Sequence, residues 1–169
     1  VEQGPLIGEQ AVQKVEQYVD DALAKGGQVL TGGKRHEKGG TFFEPTVIIN
    51  ANAEMKIARE EIFGPMAPIF KFESEEQVIA LANDTEYGLA AAVICRSVGR
   101  ATAIGERLHA GMVHINDQTV NDECINPFGG RGASGNGGAV RHQRLCPRPC
   151  HDGLYGSSDH PGAALWHRR

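Results

Sequence analysis

The sequence predicts an α/β fold: a parallel twisted sheet with flanking helices. Two observations carry that prediction. Between residues 66 and 116, short apolar runs alternate with stretches of helical period over short connections, and the strand-like runs are apolar on both faces rather than alternating. The elements follow in order. Residues 9–25 form an amphipathic helix, since Val12, Val15, Val19, Ala22 and Leu23 recur at helical spacing and Gly26-Gly27 ends it. Residues 28–31 form a short strand, and Gly32-Gly33 turns the chain. Residues 42–50 are β-rich, with Pro45 marking an edge or interrupted strand. A short helix over residues 55–61 empties into the Gly64-Pro65 turn, because the residue before a proline is pushed away from helix. A strand over residues 67–72 comes next. Ser74 with Gln77 reads as a capping box for a helix reaching about Asn83 and burying Val78, Ile79, Leu81 and Ala82. Residues 90–95 are a strand. Ser97 caps a further helix with Ile104 and Leu108 on one face, Gly111 ends it, and residues 112–116 are the third strand. Strand, helix, strand, helix, strand with short links implies right-handed parallel crossovers. Ligands gather at the carboxyl ends of such strands, so residues 117–138 are expected to border a site.

Composition narrows the function. The chain has 169 residues and a net charge of -4, which gives no reason to expect nucleic acid or an anionic membrane as a partner. No apolar run reaches the ~18 residues needed to span a bilayer. Val1-Glu2-Gln3-Gly4-Pro5 lacks the basic start and apolar stretch of a signal peptide, and with no initial Met the sequence reads as a piece of a longer protein. The four cysteines, Cys95, Cys124, Cys146 and Cys150, show no paired framework, so a cytoplasmic setting is expected. Cys146 and Cys150 are flanked by His142 and His151, but Pro147 and Pro149 make a poor metal knuckle, and no metal is expected. Gly130-Arg131-Gly132-Ala133-Ser134-Gly135 spells a dinucleotide fingerprint. That fingerprint works only between a strand and a helix, and Asn136-Gly137-Gly138 starts no helix, so a phosphate loop is not expected there.

The most informative run is Glu60-Glu61-Ile62-Phe63-Gly64-Pro65. It holds an acid and a phenyl ring together in a loop. A carboxylate can accept hydrogen bonds from two vicinal hydroxyls, and a ring can pack against a flat heterocycle. On chemistry alone, two solvated acids and a core Phe are the more ordinary reading.

Context favours the ligand reading. Arg59-Glu60-Glu61-Ile62-Phe63-Gly64-Pro65 closely resembles the run carrying the cofactor-ribose glutamate of the NAD(P)-dependent aldehyde dehydrogenases. Three further stretches match in order: Gly4-Pro5-Leu6-Ile7, then Asn83-Asp84-Thr85-Glu86-Tyr87-Gly88-Leu89-Ala90, then Asn126-Pro127-Phe128-Gly129-Gly130 followed by Gly132-Ala133-Ser134-Gly135. The resemblance covers residues 1 to about 138 and implies the carboxyl-terminal part of the catalytic domain. It also implies NAD or NADP as cofactor, a small aldehyde as substrate, and a homodimeric or homotetrameric parent.

Site residues follow from the resemblance one by one. Glu61 would hold the nicotinamide ribose, Phe63 would flank the nicotinamide, and Leu89 would lie beside it. Phe128 would line the aldehyde tunnel, and Asp122, Cys124 and Ile125 stand in the part of that loop that varies with substrate. Asn116 would pin the backbone of this loop, and His114 reads as a buried structural histidine. The reaction implied is thiolate attack on an aldehyde, hydride transfer to the nicotinamide and hydrolysis of the thioester. None of the four cysteines has the family's surrounding motif, so the nucleophile is expected upstream of Gly4, with the general base, and no catalytic residue is assigned to this chain.

Residues 114–123 look most like the benzaldehyde and vanillin (aromatic aldehyde) dehydrogenases. Glu44-Pro45-Thr46 and residues 83–89 also suit succinate-semialdehyde dehydrogenases, although no group for a distal carboxylate can be placed. A non-catalytic α/β module for binding or assembly is the reading from another class. Residues 139–169 depart from the family pattern, as does Arg131, which stands where relatives carry an apolar residue. Ala139-Val140-Arg141-His142 can be encoded so that reading one base later gives Arg-Phe-Gly, which fits the family. A frameshift after Gly138 is therefore expected, leaving an irregular tail without sheet pairing.

Overall fold

The computed structural model describes residues 3–120 and 128–135, and the backbone of Leu154–Tyr155. It forms two compact units, Val1–Lys71 and Phe72–Arg169.

The first unit is built on helix α1 (Glu9–Ala24). Val12, Val15, Val19 and Ala22 are buried as their spacing predicts, but Leu23 is 49% exposed and Tyr18 takes its place in the core. Residue 23 lies at the rim of the apolar stripe, while Tyr18 falls one turn from Val15 and Ala22. The helix ends in a Schellman arrangement: Gly27 N–H donates to the Ala22 carbonyl at 2.8 Å and Gly26 N–H to Leu23 at 3.2 Å, with Gly26 at φ 89°. Strand β1 (Gln28–Thr31) pairs antiparallel with β2 (Thr46–Ile49), which pairs parallel with β3 (Met66–Pro68). The order β1-β2-β3 makes β2 central, so of the two readings drawn from Pro45 the edge strand is corrected and the interrupted strand holds, with Phe43 in an isolated bridge before it. Pro45 stands just before the ladder; the proline inside a strand is Pro68, on β3 at the sheet edge, where a missing donor is tolerated. The expected helix over residues 55–61 is a single 3-10 turn, Lys56–Ala58, with Lys56 N–H donating to Asp21. Ile48, Met55, Ile57, Tyr18 and Ala22 close one core cluster; Val12, Val15, Val19 and Phe43 close another.

The second unit contains α2 (Glu75–Asn83), β4 (Tyr87–Gly88), β5 (Ala90–Val93), α3 (Val98–Gly105) and β6 (Met112–Ile115). Both predicted caps form. Ser74 Oγ accepts from Gln77 N–H, and Gln77 Oε1 accepts from Glu73 N–H; Ser97 Oγ accepts from Arg100 N–H. Of the residues expected to be buried on α2, Ile79 is buried, while Val78, Leu81 and Ala82 are half-buried. β5 and β6 pair in parallel across α3, and Ala101 packs with Val113 and Ile115. The predicted crossover is thus realised in β5–α3–β6. It is not realised one step earlier, because the parallel partner of β3 is β2. α3 stops at Gly105, so Leu108 lies beyond it, half-buried against the same cluster.

β7 (Arg131–Gly132) pairs antiparallel with β4, and β8 (Leu154–Tyr155) pairs parallel with β6. The β8 pairing corrects, at those two residues, the expectation of a tail free of sheet contacts. β5 covers only one side of β6, and the other edge presents N–H and C=O groups that any extended dipeptide can meet. Backbone pairing of this kind requires no selected side-chain pattern. The rest of residues 136–169 lies outside the described residues.

Gly111 packs closely against the glycines of the late motif. A Cβ at Gly111 would stand 1.9 Å from the Gly129 carbonyl oxygen, and Gly111 N–H donates to Gly88 at 2.9 Å. Gly111→Ala is expected to destabilise the chain by about 1–3 kcal/mol, as overpacking at an unyielding backbone contact does. Gly99→Ala, where nothing lies within 4 Å, is expected to be neutral or to stabilise by up to about 1 kcal/mol. Urea unfolding midpoints of the two variants check this. Equal midpoints would contradict the close approach.

Candidate functional site

The Glu60–Pro65 loop sits against one face of α1. Tyr18 hydroxyl donates to Glu60 Oε2 at 2.9 Å and approaches the Glu61 carbonyl at 3.4 Å. Lys14 Nζ donates to the same Glu61 carbonyl at 3.0 Å and lies 5.3 Å from the Tyr18 ring centroid. On the far side of the loop, a Cβ at Gly64 would be 2.5 Å from Val15 Cγ2, so only glycine lets the chain approach the helix this closely. Tyr18 lies three residues from Val15 and four from Lys14, the steps that bring side chains together on a helix surface. Burial is the main influence raising the Tyr18 pKa, so its phenol stays a neutral donor.

This docking decides which groups are left for a ligand. The Glu60 carboxylate carries the Tyr18 hydrogen bond, while Glu61 is held through its backbone carbonyl and is exposed. Phe63 is 79% exposed and lies at φ 45°, the left-handed region that bulky side chains rarely adopt. Phe63 is therefore no part of the core that this unit forms with its described residues. A large ring held outward at a strained backbone position points to a surface that packs against something outside the unit.

The second unit holds the other expected site residues. Leu89 and Phe128 are exposed, at 39% and 64%. The β4–β7 register sets Tyr87 opposite Gly132 and Gly88 opposite Arg131, with Leu89 following the first strand and Phe128 three residues before the second. Ala133 N–H donates to Glu86 carbonyl and Gly88 N–H to Ser134 Oγ, fastening this strap to the Tyr87-Gly88-Leu89 run. The fingerprint-like glycines thus serve strand pairing; Gly132, at φ 56°, has the Glu86 carbonyl 2.2 Å from where a Cβ would stand. Asp122, Cys124 and Ile125 lie outside the described residues.

Two expectations for β6 resolve differently. His114 is buried in the strand, as a structural histidine should be. Asn116, at φ 56°, accepts from Cys95 N–H through Oδ1 at 2.8 Å. Among the described residues it pins the chain just beyond β5, and residues 121–127 of its own loop lie outside them. Asn83 has a similar role that the sequence did not reveal, bridging the Arg107 carbonyl and the His109 N–H. Lys14 and Tyr18 were also not legible as site residues; an amphipathic helix gives no sign of which loop will dock on it. Among the described residues no group of three or more His, Cys, Asp or Glu could hold a metal ion, and no helix is long and apolar enough to cross a membrane.

The docked loop thus carries an exposed carboxylate, Glu61, and an exposed ring, Phe63, two residues apart. The profile described as the aldehyde dehydrogenase family matches residues 1–145. The chain is 52% identical over 134 residues to the NADP(+) succinate-semialdehyde dehydrogenase of Escherichia coli (strain K12), covering 79% of this chain and 28% of that protein. It is 50% identical over 137 residues to the 3-sulfolactaldehyde dehydrogenase of Pseudomonas putida, covering 81% and 28%. A crystal structure of betaine aldehyde dehydrogenase from Staphylococcus aureus in complex with NAD+ superposes with a TM-score of 0.75 at 42% identity, covering 80% of this chain and 27% of that one. The chain belongs to the aldehyde dehydrogenase family. It spans about 28% of the length of the curated relatives it matches.

Proposed function

We propose that this chain is the carboxyl-terminal part of the catalytic domain of an NAD(P)-dependent dehydrogenase that oxidises an aldehyde bearing an anionic group at its far end. The similarity to the succinate-semialdehyde and 3-sulfolactaldehyde enzymes carries the substrate class, since both names denote aldehydes that end in an acid. This favours the succinate-semialdehyde alternative of the sequence reading over the aromatic aldehydes, a class that the relatives do not support. Residues 114–123 misled because the loop that varies with substrate is short and its resemblance unspecific.

In this proposal Glu61 accepts hydrogen bonds from the nicotinamide ribose and Phe63 packs beside the nicotinamide ring, which accepts hydride when the cofactor is bound. The exposed Phe63 at its left-handed position supports the assignment. Leu89 completes the apolar side of the cofactor site, and Phe128, Asp122, Cys124 and Ile125 form one wall of the aldehyde tunnel. The frameshift after Gly138 is also retained as a proposal. Its support is that relatives at about half identity align over 134 to 137 residues of this chain.

Steady-state kinetics of the full-length protein test the substrate class. With either NAD+ or NADP+, kcat/KM for succinate semialdehyde should exceed that for benzaldehyde by about ten- to hundredfold, the effect of one charge-assisted contact to the distal acid. Equal or greater efficiency with benzaldehyde would restore the aromatic reading.

A further inference from the structure

We propose that Tyr18 is a positioning residue for the cofactor site: by binding Glu60 it divides the two adjacent acids into an anchor and a ligand. The inference rests on the assignment of Glu61 to the nicotinamide ribose and deepens it. Adjacent carboxylates on a mobile loop would compete for the same two hydroxyls. Here the Tyr18 hydroxyl, on a 2% exposed residue fixed in the core of α1, donates to Glu60 Oε2 at 2.9 Å. The same hydroxyl lies 3.4 Å from the Glu61 carbonyl, which also accepts from Lys14 Nζ at 3.0 Å. Glu60 is thus engaged through its side chain, and Glu61 through its backbone. Past Phe63 the loop is held again where Gly64 abuts Val15. With the chain fixed on both sides, the Glu61 side chain and the Phe63 ring keep their direction without either making the anchoring contact. The phenol acts here through Glu60 and touches neither cofactor nor substrate.

The test uses Tyr18→Phe, Glu60→Ala and the double variant in the full-length protein, with Glu61→Gln alongside. Tyr18→Phe keeps the buried ring and removes only the hydroxyl. The expected result is a rise in cofactor KM of about three- to tenfold for each single variant, with kcat and the thermal midpoint little changed, and no further rise in the double. In the 169-residue chain, amide exchange at residues 61–64 should quicken in Tyr18→Phe while α1 keeps its protection. An unchanged cofactor KM in Tyr18→Phe while Glu61→Gln raises it, or additive effects in the double variant, would overturn the proposal. So would a fall in thermal midpoint and kcat without a change in cofactor KM, which marks a purely structural hydroxyl. If Glu61→Gln itself leaves cofactor KM unmoved, the ribose assignment is wrong and the positioning role falls with it.

Discussion

The 169-residue chain should oxidise no aldehyde, whether benzaldehyde or succinate semialdehyde is offered with NAD+ or NADP+. The chemistry implied by the family needs a thiolate to attack the carbonyl and a base to activate water, and hydride leaves only after the covalent adduct forms. Cys95 is half-buried just beyond β5, where its N–H is tied to Asn116, an arrangement suited to a structural thiol. Cys124, Cys146 and Cys150 lie outside the described residues, and none carries the sequence surroundings of the family nucleophile. The matched relatives are more than three times the length that aligns with this chain. Absorbance at the reduced-nicotinamide band against a buffer control checks the expectation. Turnover that disappears in Cys124→Ala would contradict it and make Cys124 a nucleophile.

In the full-length protein, Glu61→Gln should weaken or misplace the nicotinamide ribose by roughly ten- to hundredfold, the cost of about 1.5–3 kcal/mol for a hydrogen bond to a charged group. Glu60→Gln should do much less. Its amide oxygen still accepts from Tyr18, so the anchor survives in weaker form. The difference between the variants matters more than either value, because both remove one negative charge from nearly the same place. Long-range electrostatics would make them alike, whereas a direct ribose contact separates them. Cofactor KM and dissociation constants for the two variants, measured side by side, check this.

How much of this was legible in sequence depended on distance along the chain. The Ser74 and Ser97 caps, the glycine end of α1 and strand β1 are set by residues within one turn of each other, and they form where the sequence places them. The late glycines were recognisable as no phosphate loop because a strand and a helix must flank such a loop. Contacts between distant segments were another matter. Tyr18 and Glu60 are 42 residues apart, and nothing in the period of α1 shows that its rim meets this loop. The same limit hid the central position of β2: Pro45 weakens a strand only if it falls within the ladder, and the ladder begins at Thr46. Glu61 and Phe63 were singled out by resemblance, since residue chemistry alone favoured solvated acids and a core Phe. The exposure of Phe63 and its backbone conformation are what three-dimensional structure adds.

The central claim is that the Glu61–Phe63 loop is the cofactor clamp. A crystal structure of the full-length protein with NAD+ or NADP+ bound tests it most directly. The nicotinamide ribose hydroxyls should lie within about 2.5–3.0 Å of the Glu61 carboxylate oxygens, with Phe63 against the nicotinamide and Glu60 still bound to Tyr18. Ribose hydroxyls bonded to Glu60, or a nicotinamide remote from both acids and from Phe63, would contradict the assignment.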